Sequence, residues 1–400
     1  MAPSSASNKT PSHDEDPIRK QLKILSPLPH VPWDHPPPLA TGAGKGNSPA
    51  SSRHRYGNQA GNDRSSDGVY RRTRARSQKR ISFGDGSSFS SHQQQQEEEE
   101  EDRVRQKVGK QQRRTGMPAY MYLSRYDAPS YLVGNPYIHG GYRACRTLRE
   151  SCQGLFYYHN SWLDTWTSCF SWIHAHVLLA VAVWRYGAFD QDWLSAFVFG
   201  LFYVHVAWVH APASIVCHLV GNAGISQHVY ELCLEIDYLG IFSASVILSF
   251  TQAVFVYPAW ATCVNVAMAL SLTAYLIAHL RQVVVCHIGR LRMLLEIGSL
   301  YQFPLWYQAY LDCASSSPSL PPTLASSLHP SLPTSLLCAV GTTGSLVMGG
   351  LTYALHFPEC FAPGKFDVWW NSHAVMHVWI NVAMFSEFAF LVHMLTRRHA

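Results

Sequence analysis

Two histidines stand four residues apart near the carboxy end of the chain, at the start of a long apolar run. They are His373 and His377. Residues at positions i and i+4 lie on one face of a helix, so both imidazoles could bind a single metal ion. A third histidine, His218, ends another apolar run, and Asp237 begins the next one. Ionisable residues are costly inside a membrane, so this set predicts a functional site with Zn²⁺ as the candidate metal.

The residue types also indicate a chemistry. Three imidazoles that leave a fourth position open are typical of catalytic zinc, which lowers the pKa of its bound water to about 7. Asp237 is suited to take a proton from that water as a general base. Ser214 precedes His218 by one helical turn, so its hydroxyl group would hydrogen-bond the water, the substrate or Asp237. We expect hydrolysis of an amide or ester whose lipid chain enters between helices.

The elements that position these residues follow from a change in composition near residue 115. Residues 1–115 are polar, basic and of low complexity, and cannot bury enough apolar surface to offset their conformational entropy. We therefore expect a disordered cytosolic tail over 1–115, a juxtamembrane segment over 116–168 and a membrane domain over 169–400. The net charge of +5 is concentrated in the tail and beside the first apolar run, where it sets orientation rather than predicting a nucleic-acid partner.

Seven apolar runs predict transmembrane helices, since about 20 residues suffice to cross a bilayer. The fold class is therefore all-α, a seven-transmembrane helix bundle with a disordered amino-terminal tail. The fifth run is the weakest, because it is interrupted by Arg290, Arg292, Glu296 and Pro304. The seven runs are 169–187, 193–217, 237–256, 258–280, 288–311, 334–355 and 373–395.

Orientation follows from the Lys and Arg residues of the loops, which are enriched on the cytosolic side. They precede the first run and lie around the junction of the fourth and fifth runs and between the sixth and seventh. Only Arg397 and Arg398, after the last run, favour the opposite orientation. We expect a cytosolic amino terminus and an extracytosolic carboxy terminus. With seven spans, the end of the second and the starts of the third and seventh share one membrane face. His218, Asp237 and the pair His373 and His377 should therefore converge whichever way the protein is inserted.

Four motifs carry a resemblance to a known family. They are Tyr137-Ile138 with Gly141-Tyr142-Arg143, Ser214-x3-His218, Asp237-Tyr238-Leu239-Gly240-Ile241, and Pro358-Glu359 followed by Pro363-Gly364-Lys365-Phe366-Asp367 and Ser372-His373-x3-His377. Over roughly residues 130–400 the chain resembles the progestin and adipoQ receptor family, which includes the haemolysin III-like proteins. The resemblance implies seven transmembrane helices and an intramembrane zinc site near the cytosolic face. It implies His218, His373 and His377 as zinc ligands, with Asp237 and Ser214 facing the water.

The sequence departs from the family pattern in two places. The family segment Asn-Glu-Thr-x-Asn-Ile-Trp-Thr-His corresponds to 160–168 here, where the glutamate and the final histidine are replaced. The stretch from His218 to Asp237 is longer than in the family. If the alignment shifts there, His210 is the alternative ligand.

The resemblance implies a zinc-dependent membrane hydrolase of the ceramidase type, acting on ceramide or another sphingolipid. The alternative is a non-catalytic seven-transmembrane receptor or regulator of lipid, sterol or zinc homeostasis, with a structural zinc. A channel is disfavoured, because no row of polar residues lines several runs. We also expect the amino-terminal tail to bind a cytosolic signalling partner.

Overall fold

Within the part of the chain that the structure describes, six apolar runs form helices that are long and apolar enough to cross a membrane, and the chain is a multi-pass integral membrane protein. A helix satisfies its own backbone hydrogen bonds, which a bilayer core without water requires. The six helices are Trp162–Tyr186, Trp193–Ala223, Gln227–Ala253, Ala259–Leu280, Thr334–Phe361 and Ser372–Arg398.

The computed structural model describes residues 87–188, 190, 192–280, 287–315 and 332–399, all within the compact unit Phe83–Ala400. A second unit, Met1–Ser82, lies outside the described residues. The α-helices in chain order are α1 (Ser87–Thr115), α2 (Leu148–Gln153), α3 (Trp162–Tyr186), α4 (Trp193–Val204), α5 (Ala211–Leu219), α6 (Gln227–Ala253), α7 (Ala259–Ala278), α8 (His287–Ser315), α9 (Thr334–Ala354) and α10 (Ser372–Arg398). A wider π turn, His205–His210, joins α4 to α5.

Capping residues set where the helices begin, so several start earlier than hydropathy predicts. The third run was expected from 237, whereas α6 begins at Gln227. The Ser226 side chain accepts a hydrogen bond from the backbone N–H of Val229, and Asn371 caps α10 in the same way. A polar first turn lies outside an apolar window but is still helical, because its free N–H groups are capped.

The fifth predicted run forms α8, which is not among the six helices apolar enough to cross by composition. Arg292 and Glu296 form an ion pair at 2.7 Å one turn apart on this helix. Pro304 lies inside it. A seventh crossing by α8 stays a prediction. The Ser/Pro-rich insert that follows lies outside the described residues over 316–331.

The prediction of a disordered tail lies outside the described residues over 1–86 and is wrong over 87–115, which form α1. Gln, Glu, Lys and Arg all have high helix propensity. Val104 and Val108, four residues apart, are buried on one face of this helix. Composition averaged over the segment misses this pair, which packs with Met117, Met121 and Tyr122.

A small cap on the membrane helices begins with this cluster. Strand β1 (Leu123–Ser124) pairs antiparallel with β2 (Gly140–Tyr142). The same apolar cluster includes Ala223, just after α5, and Val368, just before α10. The cap therefore joins the end of α5 to the start of α10.

Candidate metal centre

Three helix ends meet beneath this cap and bring the predicted site residues to one cavity. Ser214 and His218 lie on α5, Asp237 lies on α6, and His373 and His377 lie on α10. All five line a cavity of about 230 Å³. The helix ends expected to share a membrane face are thus adjacent in the structure.

The three histidines form a compact group that could hold a metal ion. One ring nitrogen from each of His218, His373 and His377 lies within 4.8 Å of the other two. The ring centroids are 4.9 Å apart in each pair. His218 and His377 are buried, and His373 is half-buried. A single metal ion could bind one nitrogen of each ring.

His218 is oriented by its neighbour Asn222. Its Nδ1 lies 3.4 Å from the Asn222 side-chain amide, which also lies 3.0 Å from the Ser161 hydroxyl group. The Asn222 amide nitrogen donates to the Ser161 hydroxyl oxygen, and the Ser161 hydroxyl group in turn hydrogen-bonds the Asp164 carboxylate. His218 Nε2 is buried and has no hydrogen-bond partner among the described residues. It is suited to ligate a metal.

His377 begins a chain of hydrogen bonds that ends at Asp237. Its Nδ1 lies 3.3 Å from the Ser168 hydroxyl, which lies 3.0 Å from that of Ser214. Ser214 in turn hydrogen-bonds the Asp237 carboxylate. A carboxylate accepts, so Ser214 donates to Asp237. The Ser168 proton is then shared between Ser214 and the Asp164 carbonyl oxygen, 2.9 Å away. The oxygen of Ser168 accepts from His377 Nδ1–H, and Nε2 of that ring is left to ligate a metal.

The juxtamembrane motif supports the first of the three histidines. Arg143 is fully buried and donates a hydrogen bond of 2.9 Å to the backbone oxygen of His218. Burial lowers the pKa of the Arg143 guanidinium to about 10, so it stays a cation at neutral pH. A cation at the carboxy end of α5 is favourable, because the helix dipole is negative there.

The loop before α10 supports the other two histidines. Glu359 accepts a 2.7 Å hydrogen bond from the backbone N–H of Ser372 and also accepts from its hydroxyl group. It accepts a further hydrogen bond, of 2.9 Å, from Asn135. Asp367 accepts from the backbone N–H of His139 at 2.9 Å. The two carboxylates therefore tie the start of α10 to the juxtamembrane segment.

Sequence reasoning missed two residues of this site, Ser168 and Asp164. Both lie on α3 and line the cavity. One carboxylate oxygen of Asp164, Oδ1, is buried without a hydrogen-bond partner among the described residues. Ser168 stands where the family segment ends in a histidine, and that replacement was the signal that could have revealed it. The altered segment thus still contributes polar groups to the site.

His210, the alternative ligand, lies outside the group of three. It belongs to the π turn, two helical turns before His218, and lines another part of the same cavity. The structure brings His218, rather than His210, to the pair on α10.

The residues present fit a zinc ion. The donor set is three imidazoles, and the hydrogen bond to Ser168 sets the tautomer of His377 so that its Nε2 is available. Zinc binds imidazole nitrogen readily, and three protein ligands leave one position open. The identity of the metal is a proposal that the donor set supports.

Comparisons with known proteins agree with the sequence motifs. Residues 156–388 match the family described as Haemolysin-III related. An uncharacterized protein of Schizosaccharomyces pombe is 24% identical over 285 residues, which cover 66% of this chain and 58% of that protein.

Two further relatives match over short segments. The adiponectin receptor protein of Drosophila melanogaster is 43% identical over 42 residues, 10% of this chain and 10% of that protein. Progestin and adipoQ receptor family member 4 of Homo sapiens is 41% identical over 46 residues, 12% of this chain and 17% of that protein. The chain thus covers at most 58% of the length of these relatives.

Proposed function

The chain belongs to the haemolysin-III related family, and on this premise we propose that it is a zinc-dependent hydrolase that cleaves the amide bond of a ceramide-type membrane lipid. The observation that carries the proposal is that Asp237 lines the same cavity as three converging histidines. A purely structural metal would need no base beside it.

His218, His373 and His377 would hold the metal. When bound, Zn²⁺ supplies a Lewis acid for the substrate carbonyl and lowers the pKa of a water molecule. Two observations support this assignment: the hydrogen bond between His377 Nδ1 and Ser168 leaves Nε2 of that ring available, and His218 Nε2 is buried without a hydrogen-bond partner among the described residues.

Asp237 would act as the general base. Its carboxylate accepts hydrogen bonds from the Ser214 hydroxyl and the Cys217 thiol, which hold it at the cavity wall. Water attacks the amide carbon, Asp237 takes the proton, and the same proton passes to the departing amine nitrogen. The products are a fatty acid and a lipid amine. Ser214 positions the carboxylate and is itself held by Ser168.

The lipid would enter from the bilayer, with its acyl chain between the membrane helices. A second, larger cavity continues from the metal site and shares Ser171, Ile241 and Met376 with it. Its wall is mostly apolar. This supports a long-chain lipid as the substrate.

We extend the proposal to topology and organisation. The seven-span arrangement, with α8 as the fifth crossing, places the amino terminus in the cytosol and the carboxy terminus outside. Residues 1–115 form a cytosolic tail that reaches a signalling partner, residues 116–168 a juxtamembrane segment and residues 169–400 the membrane domain. The Lys and Arg distribution of the loops supports this orientation.

Hydrolysis of the ceramide N-octadecanoyl sphingosine by the protein in proteoliposomes tests the proposed function. Asp237→Asn should lower the rate about 100-fold or more, the usual contribution of a general base, while zinc content is unchanged. Glu231→Gln is the matched control on the same helix, because Glu231 is exposed and pairs with Gln227 at 2.8 Å. It should keep the wild-type rate.

The alternative is a non-catalytic receptor or regulator with a structural zinc. Two of the relatives are named as receptors, which favours it. Full zinc content with no hydrolysis by the wild-type protein would support this alternative and overturn the hydrolase.

A further inference from the structure

The larger cavity contains two histidines that the proposed reaction does not use. This cavity has a volume of about 420 Å³ and lies among α4, the π turn, α6, α8, α9 and α10. Its wall is mostly apolar, yet His205 and His210 both line it. His210 also lines the metal cavity, so this histidine stands where the two cavities join.

The π turn places both rings on the same wall. His205 and His210 are its first and last residues, and their ring centroids lie 6.0 Å apart with the planes inclined by 30°. His205 is only 2% exposed. A π turn inside an α-helix is rare and often occurs at a functional site.

The other polar groups of the larger cavity are bonded to the protein. Ser171 donates to the Asn381 side-chain oxygen at 3.0 Å. The Thr343 hydroxyl donates to Gln302. Tyr301 hydrogen-bonds the carboxyl group of Glu387. These groups are therefore less available to a ligand than the two histidines are.

The hydrogen bond of His205 fixes what its ring offers. Its Nδ1 lies 3.3 Å from the Ser243 hydroxyl, which donates its own proton to the Gly240 carbonyl oxygen at 2.7 Å. The Ser243 oxygen must therefore accept from His205 Nδ1–H. Nε2 of the neutral ring then carries a lone pair and accepts a hydrogen bond from a donor in the cavity.

His210 offers the opposite polarity. Its Nδ1 is enclosed without a hydrogen-bond partner among the described residues and faces the backbone of α6, 3.7 Å from where a Cβ on Gly240 would lie. A proton there would be buried unpaired, so the favoured tautomer carries it on Nε2, as a donor. One ring accepts and the other donates, and a hydroxyl group can do both.

We propose that the larger cavity binds a lipid chain that carries a hydroxyl group, which His205 and His210 recognise. The proposal rests on the proposed function in one respect, namely that the ligand is a long-chain membrane lipid. At 1.5 Å per residue along the helix, the two histidines lie about 20 and 12 Å from His218. The hydroxyl group is therefore far from the head of the lipid, near the middle of a long acyl chain.

Competitive lipid binding tests the proposal without requiring hydrolysis. The full-length protein is incubated in detergent with equal amounts of 12-hydroxyoctadecanoic and octadecanoic acid, and the lipids that co-purify with it are quantified. The wild type should enrich the hydroxylated acid about tenfold, the effect of one or two additional buried hydrogen bonds. His205→Phe/His210→Phe should bind both acids equally.

Three further variants keep the test decisive. His279→Phe is the control, because His279 follows the last residue of α7, lines neither cavity and bonds the backbone oxygen of Tyr275 at 2.8 Å. It should keep the enrichment. Ser243→Ala should reduce the enrichment, because it removes the hydrogen bond that holds His205. This variant leaves both cavity histidines in place, so the test does not depend on the double variant folding correctly. His373→Ala/His377→Ala should keep the enrichment, even if the metal or the hydrolysis proposal fails. Equal binding of both acids by the wild type, or unchanged enrichment in His205→Phe/His210→Phe, would overturn the proposal.

Discussion

Ser168→Ala should weaken zinc binding through a residue that does not touch the metal. In the structure the Ser168 hydroxyl lies 3.3 Å from His377 Nδ1. Without metal, the imidazole of His377 is free to carry its proton on either nitrogen. With metal on Nε2 the proton must be on Nδ1, so the hydrogen bond to Ser168 stabilises the metal-bound state specifically.

The size of the effect follows from this contact. A buried N–H left unpaired costs about 1–3 kcal/mol, and about 1.4 kcal/mol corresponds to a tenfold change in affinity. The distance of 3.3 Å is at the long end for a hydrogen bond, so we expect a loss close to tenfold rather than a hundredfold.

Competition with a chromophoric zinc chelator measures this change on the detergent-purified protein. Ser171→Ala is the matched control, because Ser171 lies one turn further along α3 and donates to Asn381 instead. Its zinc affinity should equal that of the wild type. If Ser168→Ala, eluting as a folded monodisperse protein, binds zinc as tightly as Ser171→Ala, the assignment of the His377 tautomer is wrong.

Three other predictions concern the framework of the site. Gly224→Ala should lower the melting temperature, because Gly224 has a φ of +74° and an added Cβ would lie 2.3 Å from the Arg143 backbone oxygen. Gly344→Ala is the control and should not lower it, because a Cβ added there would have no neighbouring atom within 4 Å. Arg143→Leu should weaken zinc binding about tenfold in the chelator assay, by releasing the His218 carbonyl oxygen. Burial raises the pKa of Asp367 from 3.8 to about 6. As pH rises from about 4 to 6 the unfolded chain loses this proton first, so the free energy of unfolding should fall by up to about 3 kcal/mol. Chemical unfolding at pH values from 4 to 6, with a chelator present, measures this dependence. The part of the fall that comes from Asp367 should be absent in Asp367→Asn.

Much of the site could be predicted because its signals are local. The spacing of His373 and His377 and the position of His218 at the end of an apolar run are visible in the sequence. Because successive spans alternate in direction, seven expected spans bring the three histidines to one membrane face. The family resemblance drawn from these motifs is confirmed by the match over residues 156–388. The ligand and catalytic roles stay predictions.

What the sequence did not reveal depends on contacts between distant segments. Ser168 lies 209 positions from His377, and the replaced family histidine at its position does not say which residue it contacts. Helix starts such as Gln227 depend on capping residues rather than on hydropathy. The helix α1 was missed because two valines, not its average composition, bury one of its faces.

Zinc content per chain is the measurement that tests the proposed metal site most directly. Elemental analysis of the wild type, purified without chelators, should give close to one zinc ion per chain. His373→Ala/His377→Ala, prepared in parallel, should contain almost none. A folded wild-type protein that contains no metal and takes up none from a zinc solution would contradict the metal site and, with it, the proposed hydrolysis.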